Sequence, residues 1–279
     1  MEGVNGGQKK DLSKTPKGQM CKVNLRALEE VTRIMKYPHV DIVLLVWGRA
    51  RYTELCLNRL LSSTTYPWEK LHLWVVVQGT MDHADNVVRR YAEESPERFE
   101  YVEYLSENEG PVRPINRFWE RSTAEFVGKI DNDILVTPGW TEMMIDCLKA
   151  FPDVGVVGGW VASMDPKDAL EAGKLRTMFA RGAIYVHHVG GNYIMRKKIT
   201  EMLGGMREDQ DIFAWSMYQE NIKRRGWKIA YPYPTPLLEN MDLDEHPLCL
   251  RESLYASYAD AMYFRRHKRY RPRGVPADR

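Results

Sequence analysis

Cysteine is scarce in this chain of 279 residues. Cys21, Cys56, Cys147 and Cys249 are widely spaced and make no C-x-x-C pair. Four could close two disulfides, but nothing points to an oxidising compartment, so reduced thiols in a cytoplasmic protein are the expectation. Long apolar runs are missing as well. The longest, Ile42 to Trp47, falls far short of the roughly 20 residues that a membrane-spanning helix needs. The opening MEGVNGGQKKDLSKTPKGQ has no hydrophobic centre, which excludes a secretory signal and leaves a polar extension over residues 1–37. Net charge is only +2, so composition by itself names no polyanionic partner. No internal repeat or low-complexity interior interrupts the chain.

What is present is an ordinary globular composition, 44% apolar and 28% charged, in a chain long enough to bury a sizeable core. Ile42-Val43-Leu44-Leu45-Val46-Trp47 is a short continuous apolar run, the pattern of a strand covered on both faces. Leu55, Leu57, Leu60 and Leu61 follow at helical spacing within Glu54 to Leu61. The pattern then predicts a strand over 71–77, a helix over 85–94, a strand over 99–105, a helix over 114–122 and a strand over 126–130. Strand and helix in alternation with short connections predict an α/β fold. Its sheet would be doubly wound, mixed and mostly parallel, with helices on both faces. In such sheets ligands bind beyond the carboxyl ends of the strands.

The last of these strands runs straight into Asp131-Asn132-Asp133. An Asn-Asp followed by Thr-Pro-Gly also makes a simple turn. Two carboxylates held one residue apart at a strand end, however, repel each other unless something positive sits between them. Such hard oxygen donors suit Mn²⁺ or Mg²⁺, which complete their shell with water and substrate phosphates. The expected cofactor is therefore one of these ions, and the expected ligand carries a diphosphate.

Three segments, in order, resemble the family 2 glycosyltransferases, enzymes of the GT-A fold that use nucleotide-diphosphate sugars. VDIVLLVWGRARYTELCLNRLLSSTTYP stands where that family has its opening strand, loop and helix. NEGPVRPINRFWERSTAEFVGKIDNDILVTPGW is similar to its N-x-G-x-x-x-A-x-N helix, the D-x-D strand end and the P-G-W after it. GGNYIMRKKITEMLGGMRED is similar to the segment leading to its acidic pair. The resemblance implies a domain over residues 38–240 and a function: transfer of a sugar to an acceptor hydroxyl.

It also implies roles. Asp131 and Asp133 would hold the metal, and Glu208-Asp209 would be the acidic pair. Asp209 would be the general base of an inverting reaction, with Asp211 in reserve. Val46, Trp47, Gly48 and Arg49 would form the donor loop, joined by Arg113, Asn116, Asp131 and Asn132. Many members carry two aspartates where this chain has Val77 and Gln78, so Gln78 would meet the base edge. His246 would be a late metal ligand, while His187 and His188 read as structural. An aspartate near a helix start is favoured electrostatically in any case, so Asp209 carries a structural reading too.

The donor would be of UDP or GDP type. The acceptor could be a glycan, a lipid-linked glycan, a nucleic acid or another hydroxyl compound. Two other classes share part of this pattern, a sugar nucleotidyltransferase and a non-catalytic carbohydrate- or nucleotide-binding relative. Residues 241–279 form a C-terminal segment, in which 265–273 carry six Arg or Lys and no acid. That stretch is either a solvated end or a contact with an anionic surface or polymer, which would place the protein peripherally at a membrane.

Overall fold

In a computed structural model, residues 36–79, 82–161, 178–180, 182–242 and 246–249 are described, with the side chains of 178–181, 211 and 212 left aside. Contacts divide the chain into Met1–Lys36 and Tyr37–Arg279, and every described residue but Lys36 lies in the second unit. Residues 1–35 of the N-terminal extension, Cys21 among them, and the basic stretch 265–273 lie outside the described residues.

The chain order is β1 (Val40–Val46), α1 (Ala50–Ser63), β2 (Leu71–Gln78), α2 (Ala84–Glu94), β3 (Phe99–Leu105), α3 (Val112–Arg121), β4 (Phe126–Asp131) and β5 (Ile134–Leu135). Then come α4 (Trp140–Ala150), β6 (Val154–Gly158), β7 (Met178–Ala180), β8 (Ala183–Val186), β9 (Tyr193–Arg196) and α5 (Lys197–Leu203). A 3₁₀ turn (Glu208–Phe213) leads into α6 (Ala214–Arg224), followed by β10 (Lys228–Pro232) and β11 (Glu239–Asn240). Nine strands make one sheet in the order β3-β2-β1-β4-β9-β6-β10-β8-β7, and β5 pairs with β11 apart from it. Strands β1, β2, β3, β4, β6, β10 and β7 run one way, and β9 and β8 run against them. The sheet is mixed and mostly parallel.

The apolar run of β1 has the cause its pattern implied. Val40, Ile42, Leu44 and Val46 pack with α1, α2 and α4 on one face. Val43 and Leu45 pack with α3 and α6 on the other. Alternate residues of a strand point to opposite faces, so a strand buried on both must be apolar throughout. Trp47, expected within the strand, lies beyond it, because Gly48 and Arg49 turn the chain with positive φ. α1 begins at Ala50 rather than Glu54. Its first free N–H is capped from outside by Asp82 Oδ2 at 2.8 Å, a partner that local spacing does not reveal. α3 begins two residues earlier than its pattern, with Pro114 in the first turn, where no backbone donor is needed.

Buried Asp41 on β1 is held by Ser122 Oγ at 2.6 Å and by His72 Nδ1 at 3.0 Å. The bond to Asp41 raises the pKa of His72 above 6.5, against partial burial and Lys70, with Glu100 assisting. The His39 ring stands 5.8 Å away. A raised histidine pKa stabilises the folded chain fully below the unfolded value, and that contribution is lost as pH rises through the folded one. The stability advantage of the parent chain over His72→Gln should therefore shrink as pH rises from about 6.5 through the raised folded-state value. Melting curves of both proteins across that range check it, and a constant gap would refute it.

Candidate donor and cation site

The direction of chain progression reverses at β1, with β2 on one side and β4 on the other. That is the switch point at which open α/β sheets leave a crevice. In the register of the pair, Leu45 stands opposite Asp131, so the loop after β1 and the Asp-Asn-Asp triplet after β4 emerge side by side.

The three triplet residues do different things. Asn132 is the fastener: its Nδ2 donates to Gly48 O at 3.1 Å and to Thr53 Oγ1 at 3.0 Å, fixing the β1–α1 loop. Asp131 is half-exposed. Its backbone N–H donates to Asn192 Oδ1 at 2.8 Å, and its carboxylate is paired with buried Lys129. Lys129 Nζ also donates to Gly191 O at 3.3 Å. A Cβ on Gly191 would lie 3.0 Å from Asp131 Oδ2 and 3.3 Å from Lys129 Nζ, so any larger residue would crowd this ion pair. Asp133 is largely buried and paired with Arg49 Nη1 at 3.1 Å, while Arg49 Nη2 reaches Asp242 Oδ2 at 3.1 Å.

The electrostatics suit a hard divalent cation. Burial pushes the Asp133 carboxyl upward, and the negative charges of Asp131 and Asp242 add to that against Arg49 and Lys129. A carboxylate disfavoured as an anion by its surroundings gains most from added positive charge. All three carboxylates offer oxygen, the donor type that Mn²⁺ and Mg²⁺ take.

Around the crevice, Val46 is fully buried at the end of β1, and Trp47 is half-buried. Gln78 is also buried, and its Oε1 accepts from the backbone of Glu109 at 3.2 Å, tying the end of β2 to the loop before α3. Cys56, Cys147 and Cys249 are free thiols. Cys56 lies behind the triplet, its thiol pushed up by burial and then by Asp133 and Asp131.

The acidic pair is set by α3. Asn116 Nδ2 donates to Met206 O and its Oδ1 accepts from Met206 N, both at 2.8 Å. Asn116 thus acts on the chain itself, clamping the segment that leads to Glu208 and Asp209. Asn116→Ala strands both backbone groups of buried Met206 and should cost about 1–3 kcal/mol, read as a lower urea midpoint. An unchanged midpoint would refute the clamp.

Arg113 pairs with Glu208 at 2.8 Å. Asp209 is exposed and held by both forks of Arg207 at 3.0 and 2.6 Å, which lowers its carboxyl below the usual range. The segment that carries Asp209 is a 3₁₀ turn, and α6 begins only at Ala214. An arginine fork, rather than a helix dipole, keeps Asp209 ionised. The side chain of Asp211 lies outside the described set.

His246 stands on Glu239, Nε2 to Oε2 3.7 Å, and its Nδ1 accepts from Leu248 N at 3.2 Å. Among the described residues of that segment, Asp242 is the one tied to the triplet, through Arg49. His187, His188 and Glu220 bring ligating atoms within 4.8 Å of one another, but Lys223 Nζ fills the nest, 3.0 Å from His187 and 2.7 Å from Glu220. Sequence reasoning missed Lys129 and Asp242. Lys129 was within reach, since it alternates with Asp131 on one strand face. Asp242 left no local signal.

Fold and crevice together define an α/β enzyme-like domain with a carboxylate-lined site at its switch point. The profile "Glycosyl transferase family 2" matches residues 41–204, more than half of the chain. The chain belongs to that family.

Glycosyltransferase AglE of Haloferax volcanii is 26% identical over 137 residues, which are 48% of this chain and 43% of that protein. Among solved structures, the mannosyltransferase PcManGT from Pyrobaculum calidifontis, in complex with GDP-Man and Mn²⁺, superposes with a TM-score of 0.57 at 21% identity. It covers 79% of this chain and 65% of its own. TarS 1-349 of S. aureus in complex with UDP-GlcNAc gives 0.58 at 15% identity, over 72% of this chain and 58% of its own. The chain thus spans less than half of the curated relative and under two thirds of these structures. The fold is of the GT-A type that these structures share.

Proposed function

We propose that this chain transfers a sugar from a nucleotide-diphosphate sugar to an acceptor hydroxyl, with inversion at the anomeric carbon. The observation that carries the reading is the buried Asp133 beside Asp131 at the switch point, with surplus negative charge around it. Asp131 and Asp133 would hold Mn²⁺ or Mg²⁺. That ion would supply positive charge to the departing diphosphate. The β1–α1 loop, fixed by Asn132, would cradle the nucleotide; the half-buried Trp47 lies in that loop, and the buried Val46 ends the strand that leads into it.

Asp209 would take the proton of the acceptor hydroxyl as it attacks. Its Arg207 partner keeps it ionised, and the exposed position lets a substrate hydroxyl replace part of that fork. The donor reading draws on the neighbours, one solved with GDP-Man and one with UDP-GlcNAc. Melting the full chain with Mn²⁺ and each of UDP, GDP, ADP and CDP tests the reading, because a ligand bound only by the folded state raises its stability. One diphosphate should protect in a chelator-sensitive way. Protection by none of them, or protection that survives chelation, would overturn the reading.

A further inference from the structure

Arg49 is a strained residue with an unusual pair of partners. Its backbone sits at φ 58°, ψ 52°, a left-handed conformation that residues with a side chain rarely adopt. Such strain persists where the surroundings impose it, and it gathers at working sites. Here Asn132 fastens Gly48 O from one side, and Thr53 N donates to Arg49 O at 2.9 Å from the other. The strained backbone aims the guanidinium into the carboxylates. One edge, Nη1, lies 3.1 Å from Asp133 Oδ2, and Nη2 lies 3.1 Å from Asp242 Oδ2.

Asp242 is held there without help from Arg49. Asn240 Oδ1 accepts from Asp242 N at 2.8 Å. Met241 N donates to Asp133 O at 2.9 Å, and Tyr52 OH donates to Met241 O at 3.0 Å. The small β5–β11 pair, with Asn240 opposite Ile134, brings this segment back beside the triplet. Two segments far apart in sequence therefore meet on one guanidinium.

We propose that Arg49 is a built-in counter-cation of the site, passed between Asp133 and the donor's diphosphate while Asp242 keeps hold of it. The inference rests on the cation-and-donor reading above. A divalent ion on Asp133 competes with Arg49 for one carboxylate and sets a second positive charge beside the guanidinium. When the ion takes Asp133, Arg49 gives up its Nη1 contact and stays anchored through Nη2 on Asp242. The freed edge then presents N–H donors in the planar geometry that matches phosphate oxygens. An ion binding alone must strip Arg49 of a partner, whereas an ion binding with a diphosphate supplies a new one. The two ligands are thereby coupled, and the coupling is reciprocal. Asp242 acts as a positioning residue for Arg49.

Titrating Mn²⁺ into the full chain by calorimetry, with and without the diphosphate that protects it best, tests this. The parent chain should bind Mn²⁺ weakly alone and about tenfold or more tightly with the nucleotide, within the usual range of site coupling. Arg49→Gln should bind Mn²⁺ alone about tenfold more tightly and lose most of the enhancement. Arg49→Lys, which keeps the charge without the fork, should bind Mn²⁺ alone as the parent does yet show a smaller enhancement. Asp242→Asn should weaken nucleotide binding even at Mn²⁺ concentrations that saturate the variant.

An Arg49→Gln chain that melts like the parent and binds Mn²⁺ no more tightly would overturn the exchange, as would full nucleotide affinity in Asp242→Asn. Should Asp133→Asn bind Mn²⁺ as well as the parent, the cation site itself fails and the exchange fails with it. Loss of Mn²⁺ binding in Asp133→Asn with no effect in the other variants leaves the site standing and refutes only the exchange.

Discussion

Replacing Asp133 by alanine is expected to abolish turnover and to erase the metal-dependent part of nucleotide protection. The fold should survive, because the substitution removes a buried carboxylate whose charged form is already disfavoured, and Arg49 retains Asp242. A ligand at about 100 times its Kd adds roughly 2.7 kcal/mol of stability, a rise of several degrees in a chain of this size. In Asp133→Ala that rise should vanish, leaving the same small response with and without chelator. Asp131→Ala should behave similarly but less completely, since Asp131 is more exposed and already paired with Lys129. Equal protection of parent and Asp133→Ala would show that the triplet is only a turn.

Asp209→Asn is expected to lower kcat by roughly 10² to 10⁴, the usual worth of a positioned general base, with donor affinity little changed. The substitution keeps the shape of the side chain and removes its basicity. A single in-line displacement needs a base on the face opposite the leaving diphosphate, so the product should carry the anomeric configuration inverse to the donor's. Arg207 holds this carboxyl low, which secures the ionised form at neutral pH but makes it a weak base until the acceptor displaces the fork. Rate profiles of the parent should therefore show no loss of the base down to mildly acid pH. Near-normal turnover in Asp209→Asn, or retention of configuration in the product, would assign the proton to another group.

Much of the architecture was legible from spacing. The continuous apolar run of β1 named a strand covered on both faces, and packing on both faces is what the structure shows. β3 was read to the residue, Phe99 to Leu105. The boundaries that moved did so for tertiary reasons. Asp82 caps α1 from a distant loop, and the turn at Gly48 and Arg49 ends β1 one residue early.

The site was legible in part. Asp131, Asn132 and Asp133 stood out because adjacent carboxylates at a strand end are costly without a cation, and that cost is visible in local sequence. The partners of those carboxylates were not. Lys129 reaches Asp131 through the alternation of one strand, a local rule. Arg49 meets Asp133 only because β1 and β4 are neighbours in the sheet, and Asp242 joins them only because β11 pairs back onto β5. The sequence by itself determined the layered α/β fold, the strand end that carries the triplet and the order of the motifs, since periodicity and hydration cost act over a few residues. Apart from the Lys129–Asp131 pair, the tertiary structure decided which charges neutralise which. A side chain's partner is set by where distant segments are brought together, and Coulomb energy depends on that distance, not on separation along the chain.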